Sequence, residues 1–205
     1  GNMHSELQQA SIKKIKKKYS FMNIKKLVND FKKIKVLVIG ETIIDQYVFC
    51  EALGKSGKEP VLVLRDIKTE DYLGGAAAIS RHLSTFCEKI SLLTMIGEKK
   101  EYLSHIKKKL PKNVNLNYLK KKNSPTIIKK RFLDNLSKNK VLGVYSINDD
   151  SLVPKDEFLF NKKLKKIIPQ YDLVIVSDYG HGFISNKSAN LISKRSKFLA
   201  LNAQV

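Results

Sequence analysis

The spacing of apolar and polar positions divides residues 35–205 into alternating strand-like and helix-like segments. Four short runs are continuously apolar and rich in β-branched side chains, which is typical of strands buried on both faces of a parallel sheet. They are residues 35–40, 90–97, 173–177 and 198–201. Helical spacing of apolar residues lies near residues 76–86, 98–110, 155–168 and 186–196. This alternation predicts a three-layer α/β fold with a Rossmann-like parallel sheet.

Two segments interrupt the alternation, at about residues 46–72 and 113–147. The first contains the apolar run 61–64, and the second contains two apolar runs around a turn-rich stretch. Both are typical of antiparallel hairpins. A small inserted sheet could cover a ligand held at the carboxyl ends of the core strands. An edge hairpin with no role in binding fits the pattern equally well.

Residues 11–33 have a pattern of their own, in which apolar side chains recur every three or four residues with lysines between them. This periodicity predicts a basic amphipathic helix. Such a helix could lie on a membrane surface, but Asp30 and the ordinary globular sequence that follows favour a docking helix or a connector between domains. The chain is therefore predicted to consist of a helical extension over residues 1–33 and an α/β portion over residues 34–205.

The composition is that of a globular protein with a substantial core, since 42% of the 205 residues are hydrophobic and 28% are charged. No apolar run is nearly as long as the about 20 residues that a membrane helix needs. The lysine-rich first residues lack the apolar region of a signal peptide. The two cysteines, Cys50 and Cys87, lie far apart without C-x-x-C spacing. We expect a cytoplasmic protein with no membrane partner.

The formal net charge of +20 is the feature that most favours a nucleic-acid partner, because clustered cations release counterions from phosphates. These cations, however, are 35 lysines and only four arginines, and they are spread over most segments of the chain. Proteins that read nucleic-acid sequence favour arginine for its bidentate geometry. Nucleic-acid binding is therefore not the expected function.

Several catalytic motifs are excluded by their spacing. Gly54-Lys55-Ser56 resembles the end of a P-loop, but Phe49 stands where that motif requires its first glycine. No G-x-G-x-x-G follows the first strand, so a dinucleotide site is not indicated. The four histidines lack metal-ligand spacing, and we expect no metal site.

Polar residues and glycines at the ends of predicted strands are the candidates for ligand binding. Asp45 follows the first strand, where a carboxylate could accept hydrogen bonds from sugar hydroxyls; a role as a turn or cap residue is the alternative. Gly74 and Gly75 precede a predicted helix, where the backbone can approach a ligand closely. Asp178 follows a buried strand within the segment Ser-Asp-Tyr-Gly-His-Gly. The order of these groups along the chain is more specific than any one of them.

In this order the groups resemble motifs of the ribokinase or PfkB-type carbohydrate kinases, and most closely the heptose-7-phosphate kinase domain of bifunctional ADP-heptose synthases. The resemblance covers roughly residues 35–205. Five segments carry it: residues 40–47 (GETIIDQY) resemble G-D-x-x-x-D-x-Y, 58–63 (KEPVLV) the first lid strand, 74–77 (GGAA) the glycine motif, 125–131 (PTIIKKR) P-T-x-x-K-x-R, and 177–182 (SDYGHG) S-D-Y-x-K-G.

The resemblance implies a ribokinase-like sheet with an inserted β-lid over a sugar site. Asp45 and the backbone of Gly74 and Gly75 would hold sugar hydroxyls. Lys129 and Arg131 would reach from the lid toward an anionic group. The alternative for these two cations is that they keep an exposed strand edge from aggregating.

The match to S-D-Y-x-K-G makes Asp178 a further candidate for substrate binding. Family members transfer the γ-phosphoryl group of ATP, with Mg²⁺, to a sugar hydroxyl, and use an aspartate in a later G-x-G-D motif that does not occur here. The resemblance therefore implies that the chain is the sugar-binding and lid portion of a longer kinase, with the nucleotide-binding portion beyond Val205. No catalytic residue and no bound ATP or Mg²⁺ is expected in this portion alone.

Several positions depart from the family's pattern. Ala78 stands where the glycine motif continues to an asparagine, His181 replaces the lysine of S-D-Y-x-K-G, and Asn202 begins the segment that replaces D-P-K. The lid's usual arginine and aspartate fall at Gly143 and Tyr145. The alternative to a kinase portion is therefore a non-catalytic sugar-phosphate-binding or assembly module.

The expected partners follow from the same resemblance. They are a sugar or sugar phosphate, a second copy of the chain paired through the apolar lid strands in a homodimer, and a nucleotidyltransferase domain in the same polypeptide.

Overall fold

A computed structural model describes residues 30–55 and 57–202 of the chain. Within these ranges, residues 30–33 are helical. The rest of the helical extension predicted for residues 1–33 lies outside the described residues. No helix in the described ranges is long and apolar enough to cross a membrane.

From Lys35 onward, the described residues form nine strands and four α-helices that largely alternate. In chain order they are β1 (Lys35–Gly40), β2 (Thr42–Lys55), β3 (Leu62–Gly75), α1 (Ala76–Leu83), β4 (Lys89–Gly97), α2 (Leu103–Lys109), β5 (Val114–Lys121), β6 (Ile127–Asp134), β7 (Lys140–Ser146), α3 (Pro154–Ile167), β8 (Leu173–Ser177), α4 (Asn186–Arg195) and β9 (Phe198–Asn202). A short 3₁₀ helix, Ile168–Gln170, follows α3.

Five parallel strands form the core sheet, in the order β5-β4-β1-β8-β9. Side chains alternate between the two faces of a strand, and the central strand β1 shows this clearly. Leu37 and Ile39 pack with α3 and α4, whereas Val36 and Val38 pack with α1 and α2. All four side chains are completely buried. The predicted three-layer α/β fold is confirmed.

Four other strands form a second sheet, here called the lid sheet, in the order β3-β2-β6-β7. Strand β2 pairs antiparallel with β3 and parallel with β6, and β6 pairs antiparallel with β7. The chain enters this sheet directly from the core, because only Glu41 separates β1 from β2. The lid sheet is therefore attached where β1 ends.

The bounds predicted for the two lid segments need correction. The first segment, predicted at residues 46–72, is longer, since its strands begin at Thr42 and end at Gly75. The second, predicted at residues 113–147, is shorter, because β5 pairs in parallel with β4 at the edge of the core sheet. Edge strands of a core sheet are only partly buried and so lack the continuous apolar run expected of a central strand. This is why β5 was assigned to the insertion.

Candidate functional site

A cleft of about 690 Å³ lies where the lid sheet meets the first helix of the core. Five of the six substrate-binding residues predicted from the sequence line it. They are Asp45, Gly74, Gly75, Lys129 and Arg131. The structure thus brings together residues that are up to 86 positions apart in the chain.

Strand register explains why these residues meet. Asp45 of β2 lies opposite Tyr72 of β3 on one side and Lys129 of β6 on the other. Two residues further along, Tyr47 pairs with Arg131. Because residues i and i+2 share one face of a strand, β2 and β6 present their polar side chains to the same cleft.

Asp45 and Arg131 form an ion pair inside the cleft. Arg131 Nη1 donates a hydrogen bond to Asp45 Oδ1 over 2.9 Å, and the two side chains are only 26% (Asp45) and 19% (Arg131) exposed. Burial on its own lowers the pKa of the Arg131 guanidinium, but the hydrogen bond that it donates to Asp45 and the nearby charges raise that pKa overall. The predicted sugar-hydroxyl acceptor and the predicted anion ligand therefore contact each other directly.

The glycine pair is required by close contacts at the base of the cleft. Gly75 has φ of 63°, and a Cβ atom there would lie 2.2 Å from the carbonyl oxygen of Glu41. A Cβ atom on Gly74 would lie 2.2 Å from Asp45 Oδ2. A larger residue at position 75 would clash with the backbone and force β3 away from β2, whereas a larger residue at position 74 would displace the Asp45 carboxylate. The two glycines therefore allow the Asp45 carboxylate to lie against the backbone.

The charge of the cleft is mainly positive. Four residues with basic side chains line it: His82, Lys129, Arg131 and Lys140. Among the described residues, Asp45 is the one with a carboxylate that lines the cleft. The ring of Tyr145 lies beside the cations, with its centroid 5.4 Å from Arg131 Cζ and 5.7 Å from Lys129 Nζ. This arrangement is suited to a ligand with an anionic group.

The sixth predicted residue, Asp178, does not line the cleft. Its Oδ1 accepts a hydrogen bond from the backbone N–H of Gly180 over 2.9 Å, which stabilises the turn after β8. The following residue, Tyr179, is the one that reaches the cleft lining. This bond gives Asp178 a structural role in the turn, and its role in substrate binding stays a prediction.

Glu41 is the residue that sequence reasoning passed over. Its side chain is completely buried between β1 and β2. Oε2 accepts a hydrogen bond from the N–H of Tyr179 over 2.8 Å, and Oε1 accepts one from the N–H of His181 over 3.0 Å. Burial raises the pKa of this carboxyl group, and the charge of Asp178 adds to the rise. A lone carboxylate between two apolar strands was the available signal in the sequence.

A buried cation, Lys121, contacts the same loop from the other side. Lys121, at the end of β5, donates hydrogen bonds to the carbonyl oxygens of His181, over 3.0 Å, and Asn148. Burial lowers the pKa of Lys121, while the charges of Asp149, Asp150 and Glu41 oppose that change. His181 Nδ1 lies 2.8 Å from Asp149 Oδ1. Together with Glu41, these contacts hold Tyr179 at the cleft.

No group of three or more histidine, cysteine, aspartate or glutamate side chains suited to a metal ion occurs within residues 30–55 and 57–202. The buried side chains of Lys121 and Glu41 are instead hydrogen-bonded to backbone groups of the loop.

Known proteins resemble the chain in sequence. The bifunctional protein HldE of Campylobacter jejuni strain RM1221 is 29% identical over 173 residues, which are 84% of this chain and 35% of that protein. HldE of Haemophilus influenzae strain PittEE is 29% identical over 159 residues, which are 77% of this chain and 32% of that protein. The chain thus spans about a third of the length of these curated relatives. No family model matches it.

The structural comparison extends to most of the chain. Phosphofructokinase-2 from Escherichia coli, solved in complex with fructose-6-phosphate, matches with a TM-score of 0.60 at 13% identity, over 84% of this chain and 55% of that one. The chain has the ribokinase-like fold. The predicted resemblance to the ribokinase-type carbohydrate kinases is confirmed.

Within this ribokinase-like fold, the departures from the family's pattern fall in different places. Ala78 and Asn202 line the cleft, so they change its polar lining directly. Tyr145 lies against Arg131 and Lys129. His181 has its backbone N–H bonded to Glu41 and so lies in the loop that supports the cleft.

Proposed function

We propose that this chain is the sugar-binding and lid portion of an ATP-dependent carbohydrate kinase, which transfers a phosphoryl group to a hydroxyl of a sugar or sugar phosphate. The observation that carries the proposal is the cleft between the lid sheet and α1, where Asp45, the Gly74-Gly75 backbone and the cations of β6 converge. The sequence similarity to HldE supports the same assignment.

The cleft would contribute to the reaction mainly by positioning. Phosphoryl transfer depends on alignment of the acceptor hydroxyl and on electrostatic stabilisation, and protein groups perform little covalent chemistry. Asp45 can accept a hydroxyl hydrogen bond, and Lys129 and Arg131 can bind an anionic group of the same ligand. The lid sheet would exclude water from one side of the ligand.

ATP and Mg²⁺ belong to the proposal only for the longer protein. Residues 30–55 and 57–202 contain no metal-binding cluster, and the segment at Gly54 is not a P-loop. We therefore propose that the nucleotide, its metal ion and the catalytic base are held by other parts of the polypeptide. A nucleotidyltransferase domain in that polypeptide is proposed on the same similarity, and a cytoplasmic location accords with it.

A non-catalytic sugar-phosphate-binding or assembly module is the second candidate function. The observation in its favour is that Ala78, which lines the cleft, and Tyr145, which lies beside Arg131, replace polar residues of the family's pattern. Such a protein would use the cleft for binding alone.

One experiment separates the two functions. The product of the complete reading frame and the 205-residue chain are each incubated with ATP, Mg²⁺ and a panel of hexoses, heptoses and their monophosphates, and sugar phosphorylation is measured. We expect turnover by the complete protein and none by the chain alone. Saturable sugar binding by both, with no turnover by either, would establish the binding module instead.

The lid sheet is also the proposed contact of a homodimer. Large apolar side chains are at least half exposed on its strands: Leu53, Leu62, Ile67, Leu142, Val144 and Tyr145. Every residue of the edge strand β7 is exposed. Exposed apolar edge strands are surfaces that a second chain can cover, and a two-fold axis is the simplest way to do so.

A further inference from the structure

A second depression of the surface, here called the helix groove, lies between α3 and α4. Its lining extends from Pro154 to Lys165 on α3 and from Lys187 to Lys194 on α4. These two helices pack on one face of the core sheet, whereas α1, beside the cleft, packs on the other face. The helix groove has a volume of about 1070 Å³ and shares no described lining residue with the cleft. It is therefore separate from the candidate ligand site.

Each of the two helices contributes a stripe of three side chains to the helix groove. The stripes consist of Phe158, Lys162 and Lys165 on α3, and of Lys187, Leu191 and Lys194 on α4. Residues three or four positions apart lie on the same side of a helix. Both walls of the groove therefore combine one apolar side chain with two cations.

The apolar part of the groove is open to solvent. Phe158 is 67% exposed, although phenylalanine is usually a core residue. Leu191, on the opposite wall, packs partly against the core behind α4. Large apolar side chains exposed in a concave surface are typical of sites that bind another protein. Phe158 and Leu191 are therefore the expected anchors for a bound segment.

The lysines of the groove are available to a partner. None of the four forms an ion pair with another described residue. Glu157 is the one carboxylate among the described lining residues, and its Oε1 accepts a hydrogen bond from Ser185 Oγ over 2.9 Å. Asn161 Oδ1 accepts another from Ser188 Oγ over 2.6 Å. These two bonds join α3 to α4, so the groove is preformed and carries a net positive charge.

Charge and shape restrict what can fill the groove. Residues 1–29 of the chain contain seven lysines and a single acidic residue, Glu6, so their charge does not complement the groove. A single-stranded nucleic acid stacks its bases on several aromatic side chains, and Phe158 is the one aromatic residue among the described lining residues. A helix with an apolar stripe between two rows of carboxylates matches both the apolar side chains and the lysines.

From these features we propose that the helix groove is a docking site for another protein, which binds through an acidic amphipathic helix. The apolar stripe of that helix would cover Phe158 and Leu191, and its carboxylates would pair with the lysines of α3 and α4. The inference does not depend on the proposed function, because the groove and the cleft lie on opposite faces of the core sheet.

A synthetic peptide is the probe for this proposal. It has 14 residues, the length of α3, with leucines every three or four positions and glutamates at the others. Its binding to the 205-residue chain is measured by fluorescence anisotropy. One reference peptide has the same composition in scrambled order, and a second has lysines in place of the glutamates. A single-stranded oligonucleotide is the probe for nucleic acid.

Phe158→Ala should weaken binding of the acidic peptide about tenfold, because it removes the exposed anchor. Its matched control is Phe86→Ala, which changes a phenylalanine that is 51% exposed outside the groove. This control should bind the peptide as the wild type does. Both side chains are exposed, so neither variant should unfold, and circular dichroism checks this.

The lysines are tested by the double variant Lys162→Gln, Lys194→Gln, which removes one cation from each wall. It should weaken binding about fivefold at low salt and less at high salt, because salt screens exposed charges. The matched control is Lys107→Gln, Lys108→Gln, which removes two exposed cations from α2. This control should keep the wild-type affinity.

The scrambled peptide should bind at least about tenfold more weakly than the acidic peptide, because it lacks an apolar stripe. Equal affinity for the two would reduce the effect to general attraction of charges and overturn the proposal. Wild-type affinity in Phe158→Ala, or no binding of the acidic peptide, would also overturn it. Tighter binding of the oligonucleotide, with losses in the same variants, would identify a nucleic-acid groove instead. Peptide binding by the 205-residue chain but not by the complete polypeptide would show that the longer protein fills the groove itself, which excludes a separate partner.

Discussion

The core sheet and the lid sheet place apolar strands in opposite surroundings. In β1, residues 36–39 are completely buried between two helical layers. In β7, all seven residues are exposed, although Leu142 and Val144 are as apolar as the residues of β1. Burial of apolar area is the main favourable contribution to folding. The core sheet therefore stabilises the fold, whereas the outer lid strands leave apolar surface exposed, which the proposed homodimer would cover.

Shortening one leucine in each sheet tests how much each sheet contributes to the free energy of unfolding. Leu93 of β4 is completely buried, and Leu93→Ala should lower the free energy of unfolding by about 2–5 kcal/mol because it leaves a cavity. Leu142→Ala in β7 should change it by less than about 0.5 kcal/mol at protein concentrations where the chain is monomeric. Urea denaturation followed by circular dichroism measures both. Similar losses would show that the lid strands contribute to the core.

The next effect concerns function rather than stability. In the complete protein, Asp45→Ala should lower kcat/KM for the sugar, with a loss of transition-state stabilisation of about 2–4 kcal/mol, because it leaves partners of a charged hydrogen bond unpaired. Asp178→Ala is the matched control, since this carboxylate bonds the turn at Gly180 and does not line the cleft. A loss of thermal stability in Asp45→Ala with unchanged sugar kinetics would make Asp45 a structural residue.

Glu41 tests the junction between the two sheets. Glu41→Gln keeps the size of the side chain but directs an amide N–H toward the N–H of Tyr179 or His181. We expect a loss of about 1–3 kcal/mol in the free energy of unfolding. Glu51→Gln is the matched lid variant, and it removes an ion pair with Arg65. The side chains of Glu51 and Arg65 are 55% and 60% exposed, so the change in the free energy of unfolding should be far smaller.

The pH dependence of stability gives a second measurement on Glu41. Because its pKa is raised in the folded chain, the folded state binds a proton more readily than the unfolded state. This contribution to stability is complete below the ordinary value of 4.5 and is lost as pH rises through the raised value. Wild type should show this loss and Glu41→Gln should lack it. Parallel pH profiles of the two proteins would contradict the assignment.

The smallest expected effect is on assembly. Val144→Asp places a charge on the exposed edge strand, and it should weaken the proposed homodimer about tenfold, which corresponds to about 1.4 kcal/mol. Light scattering over a range of concentrations measures the dimer, and Phe86→Asp, at an exposed site outside the lid sheet, is the control. A wild-type mass of 23.3 kDa at high micromolar concentration would exclude the dimer.

Continuous apolar runs made the core strands β1, β4, β8 and β9 predictable from the sequence. A strand buried on both faces contains few polar residues, so its sequence pattern is unambiguous. β5 was misplaced because one side of an edge strand is open and its pattern alternates. The same alternation is typical of hairpins, and only pairing with β4 distinguishes the two.

The candidate site was predictable where a residue type has few alternative uses. A Cβ atom at Gly75 would clash with the backbone of Glu41, and a Cβ atom at Gly74 would displace the Asp45 carboxylate. Asp178 does have an alternative use, since its carboxylate bonds its own turn, and its role in substrate binding stays a prediction. The Asp45–Arg131 ion pair joins residues 86 positions apart, and its existence follows from the register of β2 and β6, which no local pattern specifies.

The single-residue passage from β1 to β2 has a mechanical consequence. The lid sheet is fixed at the end nearest the core, because Glu41 is hydrogen-bonded to the loop after β8 and the strands on either side of Glu41 are paired. A sheet that is fixed at one end bends most easily where its strand pairing is irregular. In this chain those points are the register shifts at Phe49/Cys50 and Ala52/Gly54. Any movement that admits a ligand should therefore bend the far half of the lid and leave Asp45 in place.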